Sequence, residues 1–539
     1  MPLLKNVRSW LAGIFLLVLF SSSAYALNKE VIARLSTGGI ADKIEAINQL
    51  AASGDLMALP VLQALQEGTL YLSKDGAAFI NKEGVILDAL TQKNVVPVPN
   101  DLTKVTINNR LRKILNSALA TLKLSSPQRA IRLAAANEIQ KNANDGMLPL
   151  IERALTTETD AEIENLLLLT QASIRLKNPD PKIRLQAVET LAHGNSAEVK
   201  ILLEAMLQKT PEGTYQEPDV AIRAQIKKTI AVIEARRAIA EFTGHIFSGV
   251  SLGSILLLAA LGLAITFGLM GIINMAHGEL MMIGAYTTYV VQLLFHDYWP
   301  GAFNWYLLAA LRASFMMAAL VGMAMERSVI RYLYGRPLET LLATWGISLL
   351  LIQSVRILFG AQNVTVMNPS WMSGGLTVMG GLVLPYNRIF IIAFTVLVVL
   401  SVWFILNRTR MGLFVRAVTQ NRSMADCMGV PTPKVDLLAF GLGAGIAGLG
   451  GSALSQIGNV GPELGQSYIV DSFMVVVLGG VGQLAGTVAA ALGVGGVSKL
   501  LEPYSGAVLA KIFLLVFIII FIQKRPQGLF ALKGRMMEN

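Results

Sequence analysis

The sequence predicts an all-α protein in which an exported helical-repeat domain precedes a polytopic α-helical membrane domain of about eight to ten spans, some of them broken. Three observations support this fold class. Residues 246–539 carry only 27 of the 80 charged side chains, so the second half is far more apolar than the first. The first 26 residues have the pattern of an export signal. Apolar residues at three- and four-residue spacing indicate helices between the signal and the membrane domain.

The N-terminal segment 1–26 has the three regions of a cleavable secretory signal. Lys5 and Arg8 supply positive charge, residues 10–20 are apolar, and small residues lead to the sequence Ala24-Tyr25-Ala26. A retained anchor helix is the alternative. If cleavage follows Ala26, the mature chain begins outside the cytoplasm.

Residues 27–240 are predicted to form the exported helical domain. An Ile-Arg pair follows a proline or aspartate three times, at Ile131, Ile183 and Ile222. This pattern resembles HEAT-type repeats, in which helix pairs stack because a single pair cannot bury its own apolar face. Residues 69–81 predict a short hairpin inserted in the array. The array would present a binding surface or serve only as a spacer that packs on the membrane domain, and its near-neutral charge argues against nucleic acid as a partner.

Nine apolar segments predict the transmembrane domain within residues 247–524. Several are shorter than the roughly 20 residues that a perpendicular span needs, so we expect broken or re-entrant helices. The segments are 247–270, 279–295, 305–325, 339–359, 389–406, 437–455, 469–482, 486–500 and 508–522.

Basic residues predict the orientation of these spans. They cluster in the loops 327–336 and 408–434 and in the tail 525–539, whereas segments 360–387 and 456–468 contain no lysine or arginine. Cytoplasmic loops collect positive charge. We therefore expect a basic cytoplasmic tail and an N-terminal domain on the opposite side of the membrane.

Polar residues interrupt the apolar pattern where the first span meets the second. Asn274, His277 and Glu279 lie in the sequence NMAHGE, and such side chains are costly in a membrane unless they face protein or water. Asp471 lies near the outer end of the predicted seventh span. We take these four residues as substrate-pathway candidates, with a structural bend and a satisfied hydrogen-bond network as the alternative for the first three.

Six separated blocks resemble the membrane permeases of the branched-chain amino acid class of ABC importers. They occupy residues 268–279, 326–338, 344–348, 416–429, 477–486 and 525–535. The exported helical extension before them resembles the urea-type branch of that class. The resemblance implies a bacterial inner-membrane protein that works with a second homologous permease, cytoplasmic ABC ATPases and a periplasmic solute-binding protein, in contact with membrane lipid.

The sequence argues against an enzyme. It lacks the Gly-x-x-x-x-Gly-Lys-Ser/Thr loop that holds nucleotide phosphates, so ATP would be used by the partner subunits and the chain itself needs no cofactor. One cysteine and four scattered histidines predict neither a disulfide framework nor a metal site.

The loop 407–434 is the candidate for coupling to an ATPase. It is predicted to be the longest cytoplasmic loop and to contain a short helix, Ser423–Met428, that ends at Gly429 and Pro431. Its candidate residues are Arg416, Asn421, Arg422, Met424, Met428 and Gly429. The arginines would meet acidic groups on an ATPase and the methionines would fill its groove, although a purely topological role of the charges is the alternative.

Glycines in the sixth predicted span indicate close helix packing. Gly441, Gly445 and Gly448 include a Gly-x-Gly-x-x-Gly pattern, but no strand-turn-helix unit surrounds it, so nucleotide binding is not expected. Small residues four apart instead allow two helices to approach closely.

Three functions remain open from the sequence. The first is a permease subunit of an ABC importer for urea or short amides, and the second is a branched-chain amino acid permease of the same class. The third is a membrane-anchored helical-repeat scaffold, although a simple anchor needs neither nine spans nor interrupted glycine-rich helices.

Overall fold

The computed structural model describes residues 31–530 except for gaps at 33, 36–38, 53–57, 74–76, 83–84, 90–92, 96, 100–101, 195–196, 212 and 379–381. The predicted signal 1–26 and the end of the basic tail, 531–539, lie outside the described residues. The chain divides into two compact units, Met1–Ala235 and Arg236–Asn539.

The first unit is mainly helical. Its elements are α1 (Ile40–Ala52), α2 (Ala58–Glu67), β1 (Leu70–Leu72), β2 (Ala78–Lys82), β3 (Val85–Asp88), β4 (Thr103–Lys104), α3 (Asn109–Lys123), α4 (Arg129–Lys141), α5 (Leu148–Thr157), α6 (Ala161–Arg175), α7 (Pro181–Leu191) and α8 (Ala197–Met206). Three successive apolar clusters form its interior: one among α1–α3 and the sheet, one among α3–α6, and one among α6–α8 and the following helix.

The hairpin predicted at residues 69–81 corresponds to β1 and β2, which pair antiparallel with Tyr71 opposite Phe79. Two further strands extend it to a sheet of order β3-β2-β1-β4, which the sequence analysis did not anticipate. β4 has only two residues, both exposed, so it offers no alternation of apolar and polar residues by which a strand is recognised.

Aspartates mark the helix starts that recur in the first unit. The Asp160 carboxylate accepts from the backbone N–H of Ile163, that of Asp180 from Lys182, and that of Asp219 from Ala221. Each bond satisfies an N–H that has no partner within its own helix.

The arginines of the recurring Ile-Arg pairs share one geometry. Nη1 of Arg132, Arg184 and Arg223 donates to the backbone carbonyls six and five residues earlier, over distances from 2.7 to 3.2 Å. The recurrence therefore fixes the turn that leads into each helix. That these turns belong to an exported HEAT-type array remains a prediction.

The second unit contains the apolar helices. Its elements are α9 (Val220–Met270, which begins in the first unit), α10 (His277–Tyr298), α11 (Tyr306–Ser328), α12 (Pro337–Phe359), β5 (Gly375–Val378), β6 (Leu382–Pro385), α13 (Tyr386–Arg408), α14 (Arg410–Gln420), α15 (Arg422–Cys427), α16 (Thr432–Ser455), α17 (Leu464–Gly479) and α18 (Leu484–Lys524).

Six helices of the described residues are long and apolar enough to cross a membrane. They are Val220–Gly268, Pro300–Ser328, Pro337–Phe359, Tyr386–Arg408, Thr432–Ser455 and Leu484–Lys524. Two further helices fall on predicted spans: α10 has 22 residues but is more polar, and α17 is apolar but has only 16 residues. At 1.5 Å per residue α17 is about 24 Å long, shorter than the membrane's hydrocarbon core of about 30 Å.

The last helix, α18, is two helical halves joined at a sharp break. Gly506 has φ 77° and ψ 163°, which no α-helix accommodates, and Pro503 precedes it. Val494 and Leu514 line the same cavity, although they would lie about 30 Å apart in a straight helix. The chain therefore reverses at Gly506, and the two halves correspond to the eighth and ninth predicted spans.

Candidate functional site

The connection between α9 and α10 is largely buried within the second unit, with Ile272, Asn274 and Ala276 all buried. The chain leaves the helix at Gly271, which has φ 66°, and becomes helical again at His277. Nε2 of His277 lies 2.9 Å from the carbonyl oxygen of Ala259, three turns before the end of α9. Non-helical backbone between membrane helices is tolerated where it is buried in protein or lines a cavity, which fits the burial of this connection.

The three candidates of the NMAHGE sequence are all buried, but they do not face one another. Oδ1 of Asn274 accepts from the backbone N–H of Ala276 at 3.0 Å, in the turn just before α10 begins. His277 faces α9 through the Ala259 carbonyl, whereas Glu279 faces α12, where Ser348 lies beside its carboxylate. The structure therefore separates the histidine from the glutamate on two sides of α10.

A polar seam lies between α10 and α12, formed by Glu279, Tyr286, Thr344 and Ser348. The Thr344 hydroxyl accepts from the backbone N–H of Met275 at 3.1 Å, and the Tyr286 ring lies 4.7 Å from that of Phe359 near the other end of α12. Glu279, Tyr286, Thr344 and Ser348 are all buried. Two blocks of the sequence resemblance, 268–279 and 344–348, thus meet at one interface.

The seam contains polar atoms without a partner. Oε2 of Glu279 and the hydroxyl of Tyr286 are buried and form no hydrogen bond in the described part of the chain, as is also true of Nδ2 of Asn274 and Nδ1 of His277. An unpartnered buried polar group is costly. Such atoms call for a ligand or water, and Tyr286 is a residue that the sequence analysis missed; its spacing of seven from Glu279, two turns along one helix face, was the available signal.

Asp471 lies elsewhere, in a second polar environment. Because α17 begins at Leu464 and not at 469, Asp471 is two turns inside the helix and not near its outer end. Its Oδ2 accepts from Lys511 Nζ at 2.8 Å, across the break in α18. The pair lines a cavity of about 190 Å³. Lys499 and Glu502, which pair at 2.5 Å, and several aliphatic side chains also line this cavity.

The proposed coupling loop is mostly helical. α14 was not anticipated as a separate helix, and α15 is one residue earlier at each end than the predicted Ser423–Met428. Oδ1 of Asn421 accepts from the backbone N–H of Met424 and so caps α15, and Gly429 ends it with φ 83°.

The side chains of this loop differ in what they contact. Arg416 Nη1 donates to the carbonyl of Leu406 at 2.6 Å, and the Arg422 guanidinium contacts the Asp436 carboxylate. The sequence predicts that both arginines meet an ATPase, but both already make these contacts within the chain. Met424 and Met428 are 60% and 78% exposed, so the apolar part of the expected docking surface is available.

The glycines of α16 lie where it crosses α11. A Cβ on Gly441 would lie 2.8 Å from Cγ of Met323, one on Gly445 2.5 Å from the ring of Phe315, and one on Gly448 2.6 Å from Cβ of Ala318. Gly448 also meets Gly284 of α10, backbone to backbone. Three helices thus approach within distances that only the lack of side chains permits.

A hydroxyl network joins the same three helices. The Thr288 hydroxyl donates to Ser452 at 2.8 Å and lies 3.1 Å from the Ser314 hydroxyl, which donates to the Gly284 carbonyl. All three hydroxyl groups are buried and partnered. This network is a structural contact between α10, α11 and α16, in contrast to the unpartnered atoms of the polar seam.

Comparison with known proteins gives the family. Residues 245–522 match the family model described as branched-chain amino acid transport system / permease component. The chain is 29% identical to the high-affinity branched-chain amino acid transport system permease protein BraD of Pseudomonas aeruginosa, over 45% of this chain and 80% of that protein. It is 28% identical to the corresponding LivH protein of Escherichia coli, over 53% and 95%.

A more distant relative is the putative glucose ABC transporter permease protein TsgC13 of Haloferax volcanii, 27% identical over 43% of this chain and 70% of that protein. No solved structure matches the chain. Because the family model covers more than half of the sequence, from α9 to the last turns of α18, the chain belongs to the family of branched-chain amino acid transport system permease components.

Proposed function

We propose that this chain is a permease subunit of an ABC importer and that its solute is urea or a short amide. A second homologous permease would complete the pathway, an exported solute-binding protein would deliver the solute, and cytoplasmic ATPases would drive transport. The distribution of basic residues supports a topology in which the 407–434 loop and the tail lie on the cytoplasmic side of a bacterial inner membrane and the first unit lies on the periplasmic side.

The observation that carries the solute class is the unpartnered polar seam. A carboxylate oxygen accepts N–H donors, and urea has four of them together with one carbonyl acceptor for a hydroxyl such as that of Tyr286 or Ser348. Glu279 forms no ion pair within the described residues, so the seam offers no fixed cation for the carboxylate of an amino acid. A neutral, donor-rich solute therefore suits this seam better than a zwitterion.

Branched-chain amino acids are the second candidate. The names of the BraD and LivH relatives favour them, and so does the cavity beside Asp471. That cavity combines two carboxylates and two ammonium groups with aliphatic side chains such as Leu252, Val494 and Leu514, which suits a zwitterion with a branched side chain. The two solutes thus correspond to two different places in the second unit.

Uptake by a deletion strain tests the proposal. The strain is complemented with the wild-type chain, with Glu279→Gln, or with the control Glu339→Gln, whose carboxylate is exposed and pairs with Arg336 at 3.1 Å. We expect wild type and control to restore uptake of radiolabelled urea and Glu279→Gln to lower it at least tenfold, because an amide accepts N–H groups less well than a carboxylate. If the wild-type chain restores uptake of leucine but not of urea, the solute is a branched-chain amino acid and not urea.

If the deletion strain still takes up both urea and leucine at the wild-type rate, the importer function itself is rejected. Purification from native membranes supplies an independent check, since an importer subunit must co-purify with an ATPase. Absence of an ATPase, together with a bound partner on the first unit, would favour the membrane-anchored scaffold.

A further inference from the structure

We infer that Arg422 joins α15 to the packed pair α11 and α16, and that this joint, formed by Arg422, Asp436, Tyr334, Glu326 and Arg331, transmits movement between an ATPase and the membrane helices. Arg422 is the first residue of α15, and its Nη2 contacts Oδ2 of Asp436 on α16. The guanidinium carbon also lies 4.5 Å from the centre of the Tyr334 ring. One side chain thus contacts two separate parts of the second unit.

Tyr334 continues the joint to α11. Its hydroxyl donates to Oε1 of Glu326 at 3.0 Å, and Nε of Arg331 lies 3.6 Å from the same oxygen. The Glu326 side chain is fully buried, and that of Asp436 is only 3% exposed. Two carboxylates and two guanidinium groups balance each other around the tyrosine.

The helices that the joint reaches, α10, α11 and α16, are closely packed against one another. α16 contacts α11 through Gly441, Gly445 and Gly448, and both contact α10 near the Thr288 hydroxyl. Closely packed helices shift as units because a close-packed interface does not deform continuously. A displacement of α15 at Arg422 would therefore reach α10, which carries Glu279 and Tyr286 of the polar seam.

The exposed side of α15 faces away from the joint. Met424 and Met428 are exposed, whereas Ala425 between them is buried against the chain. α15 thus has one side free for a partner, while its half-exposed Arg422 side chain contacts the buried Asp436 carboxylate. This inference rests on the proposed function, since it assumes that the free side receives an ATPase.

A test must distinguish a joint that transmits movement from α15 to the membrane helices from one that only stabilises the fold. Removing one partner of a buried ion pair leaves a charge without compensation, whereas removing both partners is often nearly neutral for stability. We therefore compare Arg422→Gln and Tyr334→Phe with the double variant Arg422→Gln/Asp436→Asn. Lys434→Gln is the matched control, because Lys434 is exposed, basic and in the same loop.

Besides the thermal midpoint, which measures stability, two readouts use the full chain in its native complex, reconstituted in liposomes. The first is the mobility of a spin label on Cys427, which is exposed on α15 and is the one cysteine of the sequence. The second is the amount of labelled urea or leucine imported per ATP hydrolysed. We expect the single variants and the double variant to mobilise the label and to lower the ratio roughly threefold or more, with the control unchanged.

The outcome for the double variant decides the question. If its stability recovers while label mobility and the import ratio stay altered, the joint transmits movement. If mobility and ratio recover with stability, or if the single variants leave both at the wild-type value, the inference is overturned. A wild-type complex that imports neither solute would instead overturn the proposed function, and the label mobility would still decide whether Arg422 holds α15.

Discussion

Arg184 and Glu217 form a bidentate pair in which Nε and Nη2 of the guanidinium donate to separate carboxylate oxygens, both at 2.9 Å. Arg132 and Glu158 form the same pair at 2.9 and 3.1 Å. Each glutamate lies two residues before a capping aspartate, Asp160 or Asp219. The recurring arginine therefore ties its own helix start to the start of a later helix.

We predict that Glu217→Ala destabilises the first unit locally. The Glu217 side chain is 2% exposed and that of Arg184 is 12% exposed, so the variant leaves a buried cation without its partner. The expected loss is about 3–5 kcal/mol. Hydrogen exchange on the full-length protein would measure it as lost protection of amides in Pro181–Leu191. In the control Glu241→Ala, the exposed pair with Arg237 should change protection by less than about 1 kcal/mol. Equal effects of the two variants would disprove a special role of the buried pair.

The pair of Arg132 and Glu158 predicts a pH dependence. Burial raises the pKa of Glu158, but the Arg132 side chain and the backbone N–H groups of Asp160 and Thr159 outweigh it, so the pKa lies below the ordinary 4.5. A carboxyl with a depressed folded-state pKa contributes stability above its unfolded pKa. That contribution decreases as the pH falls below 4.5 and is lost once the pH has passed through the folded-state pKa.

Hydrogen exchange of α4 and α6 between pH 6 and pH 3 would measure this loss once it is corrected for the intrinsic exchange rate. Glu158→Gln should be less stable at pH 6 and should show a flatter pH profile than wild type. A wild-type profile as flat as that of the variant would show that another group controls the acid response.

Gly284→Ala should weaken the packing of the second unit. A Cβ at this position would lie 2.1 Å from the carbonyl oxygen of Gly448, and backbone on both sides cannot move away cheaply. We expect a cost of about 1–3 kcal/mol, seen as a lower thermal midpoint in detergent. Gly346→Ala is the matched control, since nothing lies within 4 Å of a Cβ there and alanine favours a helix. A midpoint that falls equally in both variants would indicate a general effect of helix glycines.

Much of this arrangement could be predicted from the sequence, but the contacts between distant segments could not. Apolar runs indicated the helices, and the spacing of Gly441, Gly445 and Gly448 indicated a packing face, although not that α11 and α10 would meet it. Hydropathy is averaged over a window of residues, so it could not show that α17 begins at Leu464. Nor could it show that His277, the first residue of α10, contacts the Ala259 carbonyl of α9. Arg422 was read as a surface charge because its partner, Asp436, is 14 residues away and its stacking partner, Tyr334, is 88 away.

The pair of Asp471 and Lys511 gives the last prediction. Asp471→Asn should lower the thermal midpoint, because it leaves the Lys511 ammonium in an apolar helix without its carboxylate. The double variant Asp471→Asn/Lys511→Met should recover most of that loss, since methionine fills the same length without a charge. The pair of Arg356 and Glu463 supplies the control because the Glu463 carboxylate is 68% exposed and that of Asp471 only 12%, and Glu463→Gln should leave the midpoint unchanged.

The double variant also decides between the two solutes. If the cavity beside Asp471 is the route of a zwitterion, the recovered protein should import less leucine, because only Lys499 and Glu502 remain in the cavity to bind its carboxylate and ammonium. Urea uptake through the seam at Glu279 should stay at the wild-type level, since the seam is a separate place in the second unit. A double variant that regains stability but imports neither solute would assign the Asp471 cavity to the common pathway of both.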